Sequence, residues 1–594
     1  MRKANKLMIA AVLALALPTG ALAAEADLQV RIDQLTKQMD DLKGQVQKME
    51  DKQLGKWLTI GGKYEFRVDS LKGDVKAYTN APNMFAAAQN KMQLDFFSGG
   101  TAITGAQATA LNTYFNTTSF ESGQYLSSYF SNFGMTPAVA LAQIMTFQTN
   151  MSAVKTYAQA NTFVTNTSNA GMITGLGTAF GADGAVAAYK PKNETLYTNK
   201  FSIDLKAQAT KDVTVNARLG MYKTFGSQND DAVTSNAFFA DRTGVFDGTL
   251  GHIPSDSKLN VDRAYATWNN IGGEPVWFSV GRRPSTDGGP TNFKNNTEKP
   301  GTGGTPALLV NYAFDGMTIG YAPDIDALPG FYGKICYGRG FDSGFTTPTN
   351  SIKDTDMFGV AIVPIDTDPL RVWLQYNRGM SIFDFPVMEN TAFGNTAPSI
   401  NLGDIDWYGI GAMSTFKNVG PGNLNVFADL GLSVTHPNQN VSANAMFQGL
   451  LTGAPFSPEA PSSKTGYAAL VGARYDLPSK TKLGFEFNHG SKNWITFAPS
   501  ADDMWTSKVG TRGNVYEPYI IQELDLKPIS SRLAKAFFKV GFQYYDFDYT
   551  GSNNWVGAPI KISELATYTA NHGMLLQAPV SKATDIYGTF TVEF

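Results

Sequence analysis

From Trp57 onward, apolar and polar residues alternate with a period of two. Ile60, Gly62, Tyr64, Phe66 and Val68 fall on one face of an extended chain, and Thr59, Gly61, Lys63, Glu65, Arg67 and Asp69 fall on the other. Successive side chains of a strand point to opposite sides, so the pattern predicts ribbons with one apolar and one polar face. It recurs far down the chain. Phe201, Ile203, Leu205 and Ala207 alternate with Lys200, Ser202, Asp204 and Lys206, and Leu424, Val426, Ala428, Leu430 and Leu432 with Asn425, Asp429 and Ser433. Strands of soluble sandwiches alternate too, but they average about five or six residues. Many here run nine to thirteen, the length a tilted strand needs to cross a bilayer. Trp57, Tyr197, Trp268, Tyr475 and Tyr544 stand near strand ends, where an interfacial aromatic girdle belongs. The expected fold is all-β, a transmembrane antiparallel β-barrel. It is closed because an open sheet edge in hydrocarbon leaves backbone groups without partners.

The connections sort into short and long. Short links at 210–212, 269–274, 364–369, 418–422 and 476–480 carry Gly, Pro, Asn or Asp, whereas long polar ones fall at 225–259, 284–306, 341–354, 380–404, 435–464, 490–514 and 546–583. Short periplasmic turns and long outer loops require both chain ends on one side, hence an even strand number. About sixteen strands result: 57–69, 195–209, 213–223, 260–268, 275–283, 307–322, 331–340, 355–363, 370–379, 405–416, 423–434, 465–475, 481–489, 515–525, 533–545 and 584–594. Asp315-Gly316 has the composition of a hairpin turn. Treating it as one gives an odd count, so 307–322 is read as a single strand.

The N-terminal segment obeys other periods. Arg2, Lys3 and Lys6 precede an apolar run and Ala21-Leu22-Ala23, the order of a secretory signal peptide over 1–23. Cleavage there removes three positive charges and no negative ones, taking the formal net charge from −3 to −6. Leu28, Ile32, Leu35, Met39, Leu42, Val46 and Met49 then repeat at alternating spacings of four and three, a heptad seam that predicts a coiled-coil helix over 24–55. Residues 56–594 form the barrel, interrupted after its first strand by a low-charge insertion over 70–194. There Thr136-Pro137 has the form of a helix start. Leu141, Ile144, Met145, Met151, Val154 and Ala158 share one helical face. The insertion is expected to be helical and to plug or cap the barrel, with a surface domain as the competing reading.

Composition narrows the function classes. The chain is 12% aromatic and only 17% charged, against about 25% charged in ordinary domains, which excludes disorder. The lone Cys336 excludes a disulfide scaffold, and four scattered histidines without a Cys-x-x-Cys-His motif exclude attached haem and structural zinc. No cofactor or metal site is expected. The mildly acidic chain lacks the basic footprint of a nucleic-acid binder. None of the histidines stands near a serine in a nucleophile motif, so no enzyme activity is expected.

The chain ends Ile586-Tyr587-Gly588-Thr589-Phe590-Thr591-Val592-Glu593-Phe594. Ile586, Gly588, Phe590, Val592 and Phe594 share the outward face. This resembles the C-terminal assembly signal of Gram-negative outer-membrane proteins. Together with the signal peptide, coiled coil and dyads, it resembles outer-membrane porins with a periplasmic N-terminal coiled coil, and the layout looks like porin-like proteins of metal-reducing bacteria. The resemblance implies a passive diffusion channel in the outer membrane, embedded in lipid, inserted by the barrel-assembly machinery and usually trimeric, with the coiled coil in the periplasm. The competing reading is a haem-free barrel that sheathes a multihaem cytochrome, or a coiled-coil-tethered structural protein.

Alternation points Lys63, Arg67, Lys200, Lys206, Arg218, Arg263, Arg371, Arg474, Lys482 and Lys539 inward, with Glu65, Asp69, Asp204, Asp429, Glu486, Asp585 and Glu593. These are the pore-lining candidates. Ten basic against seven acidic positions lean toward anion preference, and mutual pairing across strands is the alternative.

Overall fold

The computed structural model describes residues 57–87, 139–226, 254, 257–285, 290–297, 308–348, 350–391, 394–498, 503–525 and 535–594. The chain divides into two compact units, Met1–Thr59 and Ile60–Phe594. The signal segment and the coiled-coil seam lie outside the described residues, as do Thr136 and Pro137.

The barrel strands are β1 (Leu58–Val75), β2 (Lys192–Gln208), β3 (Val213–Thr224), β4 (Asn260–Trp268), β5 (Val276–Pro284), β6 (Ala313–Tyr321), β7 (Tyr332–Phe341) and β8 (Thr355–Asp366), followed by β9 (Leu370–Phe383), β10 (Asn401–Val419), β11 (Gly422–Pro437), β12 (Thr465–Asp476), β13 (Thr481–Gly490), β14 (Gly513–Glu523), β15 (Lys535–Phe547) and β16 (Val580–Glu593). Each neighbours the strands next to it in the chain, and the sheet closes on itself. The closing pair β1–β16 runs antiparallel from Lys63 opposite Glu593 to Val75 opposite Val580.

All sixteen strands overlap the stretches the dyads placed, but the sixth begins at Ala313 rather than 307, because Leu308, Leu309 and Val310 belong to the connection before it. Asp315 and Gly316 are ladder positions inside β6, opposite Arg282 and Gly281. The glycine serves close approach rather than a turn, since a β-carbon there would strike the Tyr337 backbone. Several strands outrun their periodic stretch. β1 continues to Val75 because the inward positions change character. Leu71 is buried and Gly73 faces the Trp505 ring, so beyond Asp69 the inside turns apolar and the polar-in pattern disappears.

Ile319, Leu430, Ile520, Val540 and Ile586 are each about half exposed on the outer face. Between them on the same strands, Thr318, Asp429, Tyr519, Lys539 and Asp585 are buried on the inner face.

The described part of the insertion forms α1 (Val139–Ser152), α2 (Tyr157–Thr165) and α3 (Thr167–Gly184). The single helical face expected over 141–158 is broken. Thr156 Oγ1 accepts from the Gln159 N–H, and the Gln159 side chain accepts from the Thr156 N–H. This capping box starts a new helix, leaving Val154 buried and Ala158 exposed. Phe147 and Phe163 (5.2 Å between centroids) pack on Phe447 and Phe456 of the 438–464 connection. The Tyr157 N–H donates to the Gln439 carbonyl at 2.7 Å.

The barrel wall carries a repeated joint. Trp277 stands opposite Gly320, Trp373 opposite Gly411, Phe427 opposite Gly472, Tyr519 opposite Gly484 and Tyr587 opposite Gly541. In each pair the ring covers the place a β-carbon would occupy, an inward arrangement in which the aromatic packs over its cross-strand glycine. Gly541→Val is expected to cost about 1–3 kcal/mol by overpacking. Gly588→Ala, where the space is open, should leave stability unchanged. The temperature at which the barrel loses its compact gel mobility measures both.

Candidate functional site

The described residues of two long connections turn inward and line the barrel interior. The first, 285–312, contains the short helix α4 (Thr291–Asn295). Arg474 of β12 donates to the Phe293 carbonyl at 2.8 Å, and Lys482 of β13 reaches Asn296 Oδ1 at 2.6 Å. Leu309 covers Gly409 and Gly431 on β10 and β11. The second, 491–512, runs beside it. Thr496 Oγ1 donates to the Leu309 carbonyl at 2.9 Å. Trp407 of β10 donates to the Ile495 carbonyl at 2.9 Å, and Trp505 donates to the Thr584 carbonyl of β16 at 2.8 Å. Leu308, Leu309, Trp494 and Ile495 are fully buried, so this half of the interior holds an apolar core where the alternation alone predicted polar surface.

Beneath these connections lies a buried ionic lock. Lys508 bridges Glu486 of β13 and Glu517 of β14. Lys294 meets Glu517 at 2.7 Å and Asp503 at 3.0 Å. Tyr587 donates to Glu517 at 2.8 Å and Gln543 to Asp503 at 2.7 Å. Burial alone would pull the Lys508 ammonium down. The attraction of Glu486, Glu517 and Asp503 outweighs it and holds the group well above the ordinary lysine value. The Lys508 ammonium is therefore charged throughout the neutral range.

The opposite half is open. On β2 and β3, Asp204 and Arg218 are 42% and 29% exposed in their side chains and pair at 2.6 Å. On β4, Asp262 lies 3.8 Å from Arg218 and 3.4 Å from Arg263, and there the side chains are nearly covered. Lys200 sits 5.3 Å from the Tyr222 ring, and Lys206 is exposed. Lys63 pairs with Glu65 at 3.0 Å.

The remaining expected positions are engaged in the filled half, along the seam or, for Arg371, on β9. Arg67 bridges Asp69 at 2.6 Å and Asp585 at 3.0 Å and lies over the Tyr587 ring. Arg371 donates to Tyr332 at 2.8 Å and stands 3.8 Å from Asp366. Asp429 accepts from Trp373 at 3.1 Å. Arg474 pairs with Asp476 at 2.7 Å, Lys482 with Glu523 at 2.7 Å, and Lys535 with Glu593 at 3.2 Å. Lys539 reaches the Lys294 carbonyl at 3.3 Å. Ile586, Gly588, Phe590, Val592 and Phe594 follow the outer face, with Phe590 4.9 Å from Phe538.

Lys294, Asp503 and Lys508 escaped the sequence reading because loop residues have no periodicity to aim them. Glu517 escaped because Tyr519 and Ile521, which share its face, are as apolar as the outward positions beside them.

A closed antiparallel barrel with an apolar outside and an ionisable inside defines the class of this protein. Residues 190–594 match the family described as "protein of unknown function (DUF3373)", and the chain belongs to that family. No curated protein sequence matches it. Among solved structures, it is similar to the in-vitro folded OmpT, an outer membrane protein of Vibrio cholerae, at 13% identity and TM-score 0.33, covering 68% of this chain and 92% of that one. Pseudomonas putida OprB matches at 10% identity and TM-score 0.38, covering 91% and 95%. An anion-selective porin from Comamonas acidovorans matches at 12% identity and TM-score 0.32, covering 68% and 93%.

Lys508→Met leaves Glu486 and Glu517 buried against fewer counter-charges and is expected to cost about 3–5 kcal/mol. Adding Glu486→Gln should restore part of that loss. The urea midpoint of the folded barrel in detergent reads both.

Proposed function

We propose that this protein is an outer-membrane channel for passive diffusion of small hydrophilic solutes or ions. The observation that carries the reading is the two-sidedness of a closed wall. Apolar side chains remain about half exposed around the outside, far beyond the patch a water-soluble monomer leaves uncovered. Inside, the charged positions of β2 and β3 remain accessible. A hydrocarbon surround and a wet passage account for both.

The passage follows the open half, along Lys63, Glu65, Lys200, Asp204, Lys206, Arg218 and Arg263. The inward connections narrow it from the β10–β16 side, and that filling weighs against a sheath around a folded cytochrome. Residues 1–23 direct export, and the heptad helix over 24–55 stands in the periplasm and joins copies of the chain, three by resemblance. The outward residues of β16 present the signal to the barrel-assembly machinery. The helices of the insertion act as a lid over the 438–464 connection.

The purified protein in a planar bilayer should give discrete conductance steps, and a salt gradient should give a reversal potential of weak anion preference. A bilayer without steps ends the channel reading, and clear cation selectivity ends the anion preference. Replacing residues 81–184 by a short Gly-Ser linker should raise the conductance while keeping its selectivity. Unchanged conductance removes the lid.

A further inference from the structure

The connection between β11 and β12 packs on the insertion helices with one side and on the barrel interior with the other. Toward the helices, Phe163 meets Phe447 edge-on at 5.1 Å, and Phe147 and Phe85 lie 6.4 and 5.6 Å from Phe456. The Val441 N–H donates to the Lys155 carbonyl at 3.0 Å, beside the Tyr157 bond to Gln439. Toward the interior, the Leu451 N–H donates to the Trp555 carbonyl at 2.8 Å, and the Gly557 N–H donates to the Gly449 carbonyl at 2.9 Å. Leu450 and Leu451 belong to the same buried core as Leu309, Trp494 and Ile495. Ser442 Oγ donates to Asp384 of the neighbouring connection at 2.7 Å.

The backbone between these two sides is strained. Met446, Phe447, Leu451 and Phe456 have φ of +52°, +74°, +53° and +57°, the left-handed region that a bulky side chain disfavours. All four are buried. Such a conformation persists only where the surroundings over-determine it. Here they do so from two directions. The Phe163 and Phe147 rings hold Phe447 and Phe456 from outside, and the Trp555 carbonyl holds Leu451 from within. Taking away either hold lets the turns relax toward ordinary backbone, and that relaxation moves the groups the other side grips. There is little slack to absorb it, since a β-carbon at Gly557 would strike the Gln448 side chain.

We propose that residues 442–457 couple the seating of α1 and α2 to the connection at 549–558, so that loosening either one loosens the other. The coupling deepens the reading of the insertion as a lid and rests on it for its role in transport. It gives that lid a strained element through which its position reaches the interior. Energetic coupling between two sites is reciprocal, so the effect must run both ways.

The test is hydrogen–deuterium exchange of the full-length protein in detergent, followed on peptides spanning 153–165, 442–457 and 549–558. Phe163→Ala removes one outer ring and should lower protection about tenfold over 442–457 and again over 549–558. Residues 200–222 of β2 and β3 should keep their rate. In the reverse direction, Gly557→Ala drives a β-carbon into Gln448 and should lower protection over 153–165. Faster exchange over 442–457 alone, or no change in either direction, overturns the coupling. Equal acceleration over 200–222 marks a general loosening and overturns it as well. Where Phe163→Ala fails to fold, Phe163→Leu keeps most of the volume and gives the same comparison. Unchanged conductance without the insertion ends the lid reading and leaves the exchange result standing, so the two fail separately.

Discussion

Closure of the sheet is the constraint on which the rest depends. The Gly62 N–H donates to the Phe594 carbonyl at 2.9 Å, and the Phe594 N–H donates to the Gly62 carbonyl at 3.0 Å. The two ends of the barrel thus satisfy each other's backbone. Just inside this seam, Arg67 of β1 reaches Asp585 of β16, adding a buried charge pair to the backbone ladder. Once the ring is closed, no strand edge is left open. Every residue must then face in or out, and the two-residue period becomes a decision between two environments.

The inside is not uniform. The described residues of connections 285–312 and 491–512 fold against β10–β16 and bring their own apolar core, while β2 and β3 keep partly exposed charges. A lock of Lys294, Lys508, Glu486, Glu517 and Asp503 joins the two connections to the wall. Removing one partner from such a cluster strands the others in a low-dielectric space, so the members hold one another in place. Aromatic-over-glycine joints serve the same end without charge. They let large rings lie flat along the inner wall, leaving room for the connections above them.

This division separates three roles for interior cations. Lys508 and Lys294 are bound to carboxylates and position backbone. Arg218 pairs with Asp204 at an accessible surface, and Arg263 meets the buried Asp262 beside it. Arg283 donates to Thr318 beneath the flanking Tyr265 and Trp277 rings and is held by a hydroxyl and by aromatic faces.

Much of the architecture was legible in the sequence because a strand's period of two does not depend on what it packs against. Sixteen strands, their alternation of short and long connections, the interior placement of Arg67 and Arg474, and the unbroken run through Asp315-Gly316 all follow from dyads, parity and strand count. Where the inner face turns apolar, as at Leu71 or beside Glu517, the dyad contrast vanishes and the reading stopped short. The break between α1 and α2 is local, written in Thr156 and Gln159, yet it was hidden behind a stretch of apolar residues that fits one helix equally well. The inward course of two loops and the partners of Lys294 and Lys508 were decided by tertiary structure alone. Irregular backbone carries no periodicity, and neighbours brought together across the ring come from positions far apart along the chain.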